Sequence, residues 1–411
     1  MNKRNESMRN LNKYESAIVR NADWFISKET REGFIDVDGD EFYGVRGDAT
    51  LIGHSVTVRM YAYVLTQDVR YLDSARKSLT WLAWRQDNEG GWKKHAAFTL
   101  DGAQCVFEGF NTYQTITGDR QFETILTKAA GRMIRGTLTV DGGLRLPNVI
   151  EIGEYAHFAL LAWKTTNESD FQKAADLIVG HITDNFDDFE GFWLPFDKHH
   201  LRFSLPVALA RPILRWFTYH IPLRGRIVAR LAGHLLRWLV GASRPQYSMS
   251  MMDAEALLDT HDRSCHFPQL REQTERAIRW VTTHCAGPFP GSLVESTPSA
   301  RRDWVYPIPI INNHELAALW PTTCLLIAYC GLNEIQYAAA ATEVADWILT
   351  AQRGDGGFSN FQQSDGTVLP LQSGNVNFYA SMALWLYNKT YGGALPQRQQ
   401  SGKEAVSTTT S

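Results

Sequence analysis

Apolar and polar positions follow one another along this chain in units of a single design. A helical stretch that is apolar all round runs into a short polar turn. A second helix follows, rich in Ala with an aromatic residue near its end, and a Gly-rich break closes the unit. The polar turns align with one another: LTQDVRYLDSA (65–75), ITGDRQFETIL (116–126) and TTNESDFQKAA (165–175), with a further echo in GLNEIQYAAAA (331–341) and a weaker one in DTHDRSCHFPQL (259–270). Thr66, Thr117 and Thr166 mark a step of roughly fifty residues, too long for one helix and right for a helical hairpin with its loops. The breaks read EGGW, VDGGL, FEGFW and DGGF. Gly there supplies the positive φ that ends a helix.

The two ends of the chain carry half-units. ADWFISKETREGF (22–34) parallels ADWILTAQRGDGGF (345–358), so the first helix reads as an outer helix with no partner before it. NVNFYASMALWLYNKTYGG (375–393) reads as an inner helix with no partner after it. Paired, the two close a ring. The expected fold is all-α, an (α/α)6 toroid, with inner helices starting near Ala49, Asp101, Ile150, Ser250, Asn313 and Asn375, as many outer helices around them, and few strands. The inner helices are apolar all round because both their faces are covered. An open helical solenoid is the alternative; the matching unpaired ends favour closure. The first part of the barrel is then 1–197 and the second 251–394, with an insertion at 198–250 and a polar tail over 395–411 that reads as disordered.

Gln86-x3-Gly90-x-Trp92 and Gln352-x3-Gly356-x-Phe358 are two copies of one motif, far apart. They resemble the repeat motif of squalene cyclases and prenyltransferase-like toroids. The stretch DGAQCVFEGFNTYQTITGDRQF (101–122) is similar to uncharacterised (α/α) barrel proteins of bacterial exopolysaccharide clusters. Those resemble the catalytic barrels of sugar epimerases and six-hairpin glycosidases. The resemblance covers most of the chain outside the insertion, and it implies the toroid with either saccharide or isoprenoid chemistry. The motif itself reads as structural, with Gln bonding the free end of a neighbouring helix while the ring packs on the Gly turn. The chemistry of the terpenoid families is not matched. A protonating cyclase needs a DxDD cluster, which neither DVDGD (36–40) nor DNFDD (184–188) provides, and the Asp-x-Cys pair of a zinc-dependent prenyltransferase is missing.

In such a ring the Gly-rich breaks lead to one end and the inner helices begin there, so polar residues in their first turns face one funnel. The first inner helix offers Arg46, Asp48 and His54, and the second Asp101, Gln104 and Glu108. The third offers Glu151, Glu154 and His157, the fifth Asn312, Asn313, His314 and Glu315, and the sixth Asn375, Asn377 and Tyr379. Singly, each has a plain explanation: Asp101 and Asn313 are good N-caps, and Glu151 favours a helix start through the dipole. Together, carboxylates, His and amides at one mouth suit sugar chemistry. One carboxyl group protonates a leaving oxygen while the other steadies or attacks the cationic carbon. In epimerisation or β-elimination, a His or Tyr takes a proton beside a carboxylate that an amide or Arg polarises. Asp101 and Glu154 are the leading carboxylate pair, with His314 and Tyr379 as proton carriers. Arg46, Asp48, His54, Gln104, Glu151, Asn313, Glu315 and Asn377 are the expected substrate-binding residues.

Composition and charge narrow the reading. With 44% hydrophobic and 12% aromatic residues in 411, the chain can fill a large core, and a formal net charge of -3 gives no pull toward nucleic acid. Asp36, Asp38 and Asp40 fit the first, third and fifth places of a calcium loop, but its sixth place holds Glu41 instead of Gly and its twelfth Gly47 instead of an acid. HDRSCH (261–266) with His284 and Cys285 matches no standard zinc set. Neither metal nor cofactor is expected. The cysteines form no CxxC pair, the first residues have no apolar signal core, and no apolar run is long enough to span a bilayer. The chain therefore reads as cytoplasmic, with reduced thiols.

The insertion is the exception. From Lys198 to Met252 there is no Asp or Glu, against nine Lys or Arg. Arg226, Arg230, His234 and Arg237 fall along one side of a helix with Ile227, Leu231, Leu235 and Trp238 beside them, and Trp216 and Phe217 come just before. Basic, aromatic and aliphatic together, and too charged to span, is the pattern of a helix lying in a membrane interface. Trp216, Phe217, Arg226, Arg230, Arg237 and Trp238 are the expected membrane-binding set, on the inner membrane face. A lid or partner helix is the other reading.

The first functional expectation is a carbohydrate-active enzyme of polysaccharide or lipid-linked glycan metabolism, using epimerase, lyase or hydrolase chemistry. A terpenoid cyclase or prenyltransferase-like enzyme acting on an isoprenoid lipid is the second, and a non-catalytic scaffold in polysaccharide assembly the third.

Overall fold

The computed structural model describes residues 11–36, 49–92, 99–137, 159–184, 186–187, 192–193, 267–294, 316–369 and 374–392. In chain order the helices are α1 (Lys13–Ser27), α2 (Ala49–Thr66), α3 (Val69–Ala83), α4 (Thr99–Thr117), α5 (Glu123–Thr137), α6 (159–166), α7 (Ser169–Asp184), α8 (Phe267–His284), α9 (Leu319–Leu332), α10 (Ala338–Thr350) and α11 (Gly374–Tyr391). Two short antiparallel pairs accompany them, β1 (Phe186–Asp187) with β2 (Phe192–Trp193) and β3 (Leu316–Ala318) with β4 (Phe361–Gln363). Helices α2, α4, α6, α9 and α11 form the inner ring and the others the outer one. The inner helix expected near Ser250, the insertion 198–250 with its six membrane-binding residues, and the tail 395–411 lie outside the described residues.

Burial separates the two rings as the pattern of apolar positions requires. Outer helix α3 buries one stripe, Tyr71, Ser74, Ala75, Ser78, Leu79, Trp81 and Leu82. Inner helix α9 is buried along its whole length except at Trp320 and Gly331. The described cysteines Cys105, Cys285, Cys324 and Cys330 are buried.

The recurring Thr has one job in each hairpin. Thr66, Thr117 and Thr166 donate to the carbonyl four residues back, at 2.7, 2.8 and 2.8 Å, and accept the backbone N–H of Asp68, Asp119 and Glu168. The residue between is left-handed: Gln67 (φ 56°), Gly118 (72°) and Asn167 (57°), with Asn333 (50°) in the fourth copy. One hydroxyl thus ends the inner helix and starts the outer one.

The Gly-rich breaks lock each hairpin to the next. Gly33, Gly90, Gly291 and Gly356 all have positive φ, and a Cβ there would lie 2.9, 2.1, 2.6 and 2.3 Å from the carbonyl oxygens of Lys77, Lys128, Glu343 and Arg20. Each turn therefore rests on the backbone of the following outer helix, and the last of these contacts returns to α1. Gln86 and Gln352 stiffen their turns by donating to Gly90 O and Gly356 O, and reach across to Ile125 O (2.9 Å) and Ala17 O (2.8 Å). The expected partner was a helix's free end. Ala17 instead sits inside α1, so Gln352 grips a helix body.

Closure is direct. Tyr71 OH donates to Asp23 at 2.9 Å between α3 and α1, and Tyr14 OH repeats the bond to Asp346 at 2.7 Å between α1 and α10. The seam thus uses the same rivet as an interior joint. Inside it, Asn21 donates to Asn377 (2.8 Å) and accepts from Ser381 (2.9 Å), all fully buried. The neighbouring inner helices α2 and α11 stack His54 on Phe378 (3.9 Å, 8°) and, seven residues further along both, Tyr61 on Trp385 (4.5 Å, 4°). That is the knob spacing of parallel helices.

One expected helix start and one expected N-cap are corrected. Helix α9 begins at Leu319 and not near Asn313, because residues 316–318 pair with β4 and Ala318 is extended (φ -111°, ψ 126°). Helix α4 begins at Thr99, which puts Asp101 inside the first turn and not at the N-cap.

Candidate active site

Contacts fix which side of each inner helix faces the interior of the ring. On α2, Gly53 faces α4: a Cβ there would sit 2.4 Å from Cys105 O, and one on Gly109 would sit 2.6 Å from Gly53 O. Arg59 points outward, to Glu29 of the first Gly turn and to Ser74 and Ser78 of α3. At about 100° per residue, His54, Thr57 and Tyr61 share the side between α4 and α11. His54 and Thr57 are buried, and Thr57 Oγ1 has no hydrogen-bond partner among the described residues.

On α11, Asn377 looks outward into the seam. Tyr379, two residues on, turns to the interior, where it meets His54 edge-on at 5.3 Å and Trp320 of α9 edge-on at 4.5 Å and 90°. Helix α4 adds a partly buried carboxylate. Glu108 lies between Gly109, which faces α2, and Asn111, which accepts a 2.7 Å hydrogen bond from Thr165 of α6. Imidazole, phenol, indole and carboxylate thus come from four inner helices to the interior side of the ring, with Tyr379 meeting both His54 and Trp320 near the end where those helices begin.

Among the expected site residues, His54 and Tyr379 are brought together, and Asp101 and Gln104 fall in the first turns of α4. Asn377 is reassigned. Its amide is fully buried, with Oδ1 accepting from Phe358 N (2.6 Å) and from Asn21, and Nδ2 donating to Phe358 O (3.2 Å). It holds the last Gly turn to α1 and does not face the interior. Arg46, Asp48, Glu151, Glu154, Asn313, His314 and Glu315 lie outside the described residues, as do most of the acidic loop 36–40 and the HDRSCH stretch. Among the described residues no cluster of His, Cys, Asp and Glu has the makings of a metal site.

The sequence reading passed over Trp320 and Phe378. Phe378 lies beside a chosen residue and gave no polar signal. Trp320 had one: Pro321 follows it, and Pro is tolerated in the first turn of a helix but not in its interior. A helix start at Leu319 was readable from that Pro, and with it an aromatic ring at the mouth.

No family model and no curated sequence matches the chain. Solved structures do. A D-mannose isomerase is similar with a TM-score of 0.60 at 12% identity, over 92% of this chain and 97% of that one. Cellobiose 2-epimerase from Bacillus thermoamylovorans B4167 gives 0.59 at 9%, over 88% and 95%. An inactive variant of the α-1,6-mannanase of Salegentibacter sp. HEL1_6, in complex with α-1,6-mannotriose, gives 0.54 at 11%, over 92% and 99%. At these identities the likeness is one of fold, and the fold is the (α/α)6 toroid.

Proposed function

We propose that the protein is a carbohydrate-active enzyme of the epimerase, lyase or hydrolase type, working at the end of the ring where the inner helices begin. One observation carries this reading: His54, Tyr379 and Trp320, from three different inner helices, meet on the interior side of a fold shared with a mannose isomerase, a cellobiose epimerase and a mannanase. An imidazole and a phenol side by side are equipped to move a proton at a sugar carbon or a leaving oxygen. Asp101 and Glu154 are the proposed carboxylates, and His314 and Tyr379 the proposed proton carriers. Arg46, Asp48, His54, Gln104, Glu151, Asn313 and Glu315 are the proposed substrate-binding set.

The isoprenoid reading drew on the Gln86 and Gln352 turns. Those residues are engaged in joining hairpins, so they carry no preference for a substrate. Peripheral attachment to the inner membrane face through 198–250 remains a proposal from the residue pattern. Among the described residues no helix is long and apolar enough to cross a membrane. Co-sedimentation with anionic vesicles, with and without 201–247, decides it: equal partition removes the segment as an anchor.

The test of the enzyme reading is a screen of the full chain against neutral and uronate-containing saccharides. Solvent deuterium incorporation reports epimerisation, an unsaturated product elimination, and new reducing ends hydrolysis. Asp101→Asn, Glu154→Gln, His314→Gln or Tyr379→Phe is expected to lower kcat by about a hundredfold or more at unchanged melting temperature. Full activity in all four variants would remove the assigned machinery. Absence of both turnover and saccharide binding in the parent chain would leave the scaffold reading.

A further inference from the structure

We propose that Trp320 is the platform on which the substrate's sugar ring stacks. The proposal rests on the saccharide reading above and names the residue that holds the ring. Among the side chains of α9, Trp320 alone keeps open surface; the other partly exposed position, Gly331, has no side chain. A Trp placed only to fill the core would be covered like its neighbours. Trp320 is also the second residue of its helix, at the mouth, on the interior side where it meets Tyr379.

The indole is held in place from several directions. Tyr379 stands perpendicular to it at 4.5 Å, and Tyr379 is itself set by Phe378 (4.8 Å) and His54 (5.3 Å). Its backbone is tied by the Thr323 hydroxyl, which donates to Trp320 O at 2.7 Å, and by Leu319 N, which donates to Asn360 O at 2.9 Å. Directly before it, β3 is paired to β4. A flat apolar surface fixed in this way loses little freedom when a ligand settles on it.

A pyranose offers what such a surface takes. One face of the ring is made of C–H groups and its rim of hydroxyls. The C–H face lies on the indole, and the hydroxyl rim is left to polar groups nearby, the His54 imidazole and the Tyr379 phenol among them. Apolar flatness beside a few convergent polar groups is the chemistry of a sugar site. Trp84 provides the internal comparison. It is far more exposed, at 84%, but it caps the outer helix α3.

The experiment measures calorimetric binding of D-mannose, cellobiose and α-1,6-mannotriose to the full chain and to Trp320→Ala, Trp320→Phe and Trp84→Ala. In parallel, N-bromosuccinimide oxidation of each Trp in the parent chain is read by mass spectrometry with and without each saccharide. At least one of the three is expected to bind. Trp320→Ala should weaken that binding about tenfold and Trp320→Phe about threefold, the size of one aromatic contact. Trp84→Ala should leave it unchanged, and the bound saccharide should shield Trp320 but not Trp84 from oxidation. Unchanged affinity in both Trp320 variants, or oxidation of Trp320 at the same rate with saccharide bound, overturns the platform and leaves the saccharide reading standing. Binding of none of the three by the parent chain overturns the platform, and the wider saccharide screen above then decides the enzyme reading. The oxidation arm uses the unaltered protein, so it decides the matter even where Trp320→Ala does not fold.

Discussion

Replacing Glu29 by Gln gives the first Gly turn the residue that its counterparts, Gln86 and Gln352, already carry at the same place four residues before Gly33, Gly90 and Gly356. Repeat symmetry alone predicts a neutral or helpful change. The structure predicts a damaging one. The Arg59 side chain is completely buried, and all five of its N–H donors are used. Nε donates to Ser55 O (3.0 Å), Nη1 to Ser74 Oγ (2.6 Å) and Glu29 Oε1 (3.3 Å), and Nη2 to Ser55 Oγ (2.8 Å) and Ser78 Oγ (2.9 Å). The serines satisfy hydrogen bonds; the compensating charge is that of Glu29, itself only 10% exposed. Burial pushes Arg59 down to about 10, with Glu29 pulling the other way, so the guanidinium stays charged at neutral pH. Glu29→Gln keeps the shape and removes the countercharge, which for a buried pair costs about 3–5 kcal/mol. Arg59→Met frees Glu29 toward Lys77, 3.8 Å away, and costs less. The double variant should recover most of the loss, since an apolar replacement of a whole buried pair is often close to neutral. Urea unfolding of the four proteins at neutral pH forms the cycle that isolates the coupling. The pH dependence has a definite sign. Because the folded value lies below the unfolded one, this group's contribution is flat below about pH 10, and stability rises above that as the unfolded chain keeps the proton the folded one gives up. Unfolding of Glu29→Gln at the parent's urea concentration, or a double variant worse than both singles, would refute the buried charge pair.

Other outcomes follow from the seam. Gly356→Ala should destabilise by about 3 kcal/mol or more, because a strained positive φ adds to a Cβ held against a backbone carbonyl. Gly366→Ala, at φ +88° with nothing within 4 Å of the added Cβ, should cost only about 1–2 kcal/mol. Equal melting temperatures for the two would mean that the Gly356 turn does not press on α1. Asn377→Ala should lower the melting temperature, with about 1–3 kcal/mol lost for each buried partner left unpaired, while leaving KM for the proposed saccharide substrate unchanged. A raised KM at unchanged melting would return Asn377 to the substrate-binding set.

The periodic part of this fold was legible in the sequence because each repeat solves the same local problem with the same atoms. Thr66, Thr117 and Thr166 recur because a hydroxyl there can serve two helices at once, and Gly33, Gly90 and Gly356 recur because no Cβ fits against the next helix. The equivalent turn at Gly291 was not read as a break, since PFPGSLV has no Gly pair and Ala286 stands where Gln352 stands in the last turn, paired with Leu293 as Gln352 is with Phe358. The site was less legible because it depends on what is not periodic. Pairing of β3 with β4 moves the start of α9 from Asn313 to Leu319, and that shift puts Trp320 at the mouth. Asn377 and Tyr379 look alike from the sequence, two polar residues in one first turn. They differ by about 200° around the helix, and the zero of that angle is set by Asn21, which lies 356 residues away along the chain. Closing the ring is therefore what divides the polar residues of the last helix into one that joins hairpins and one that faces the interior. A chain of the same pattern left open would present both to solvent.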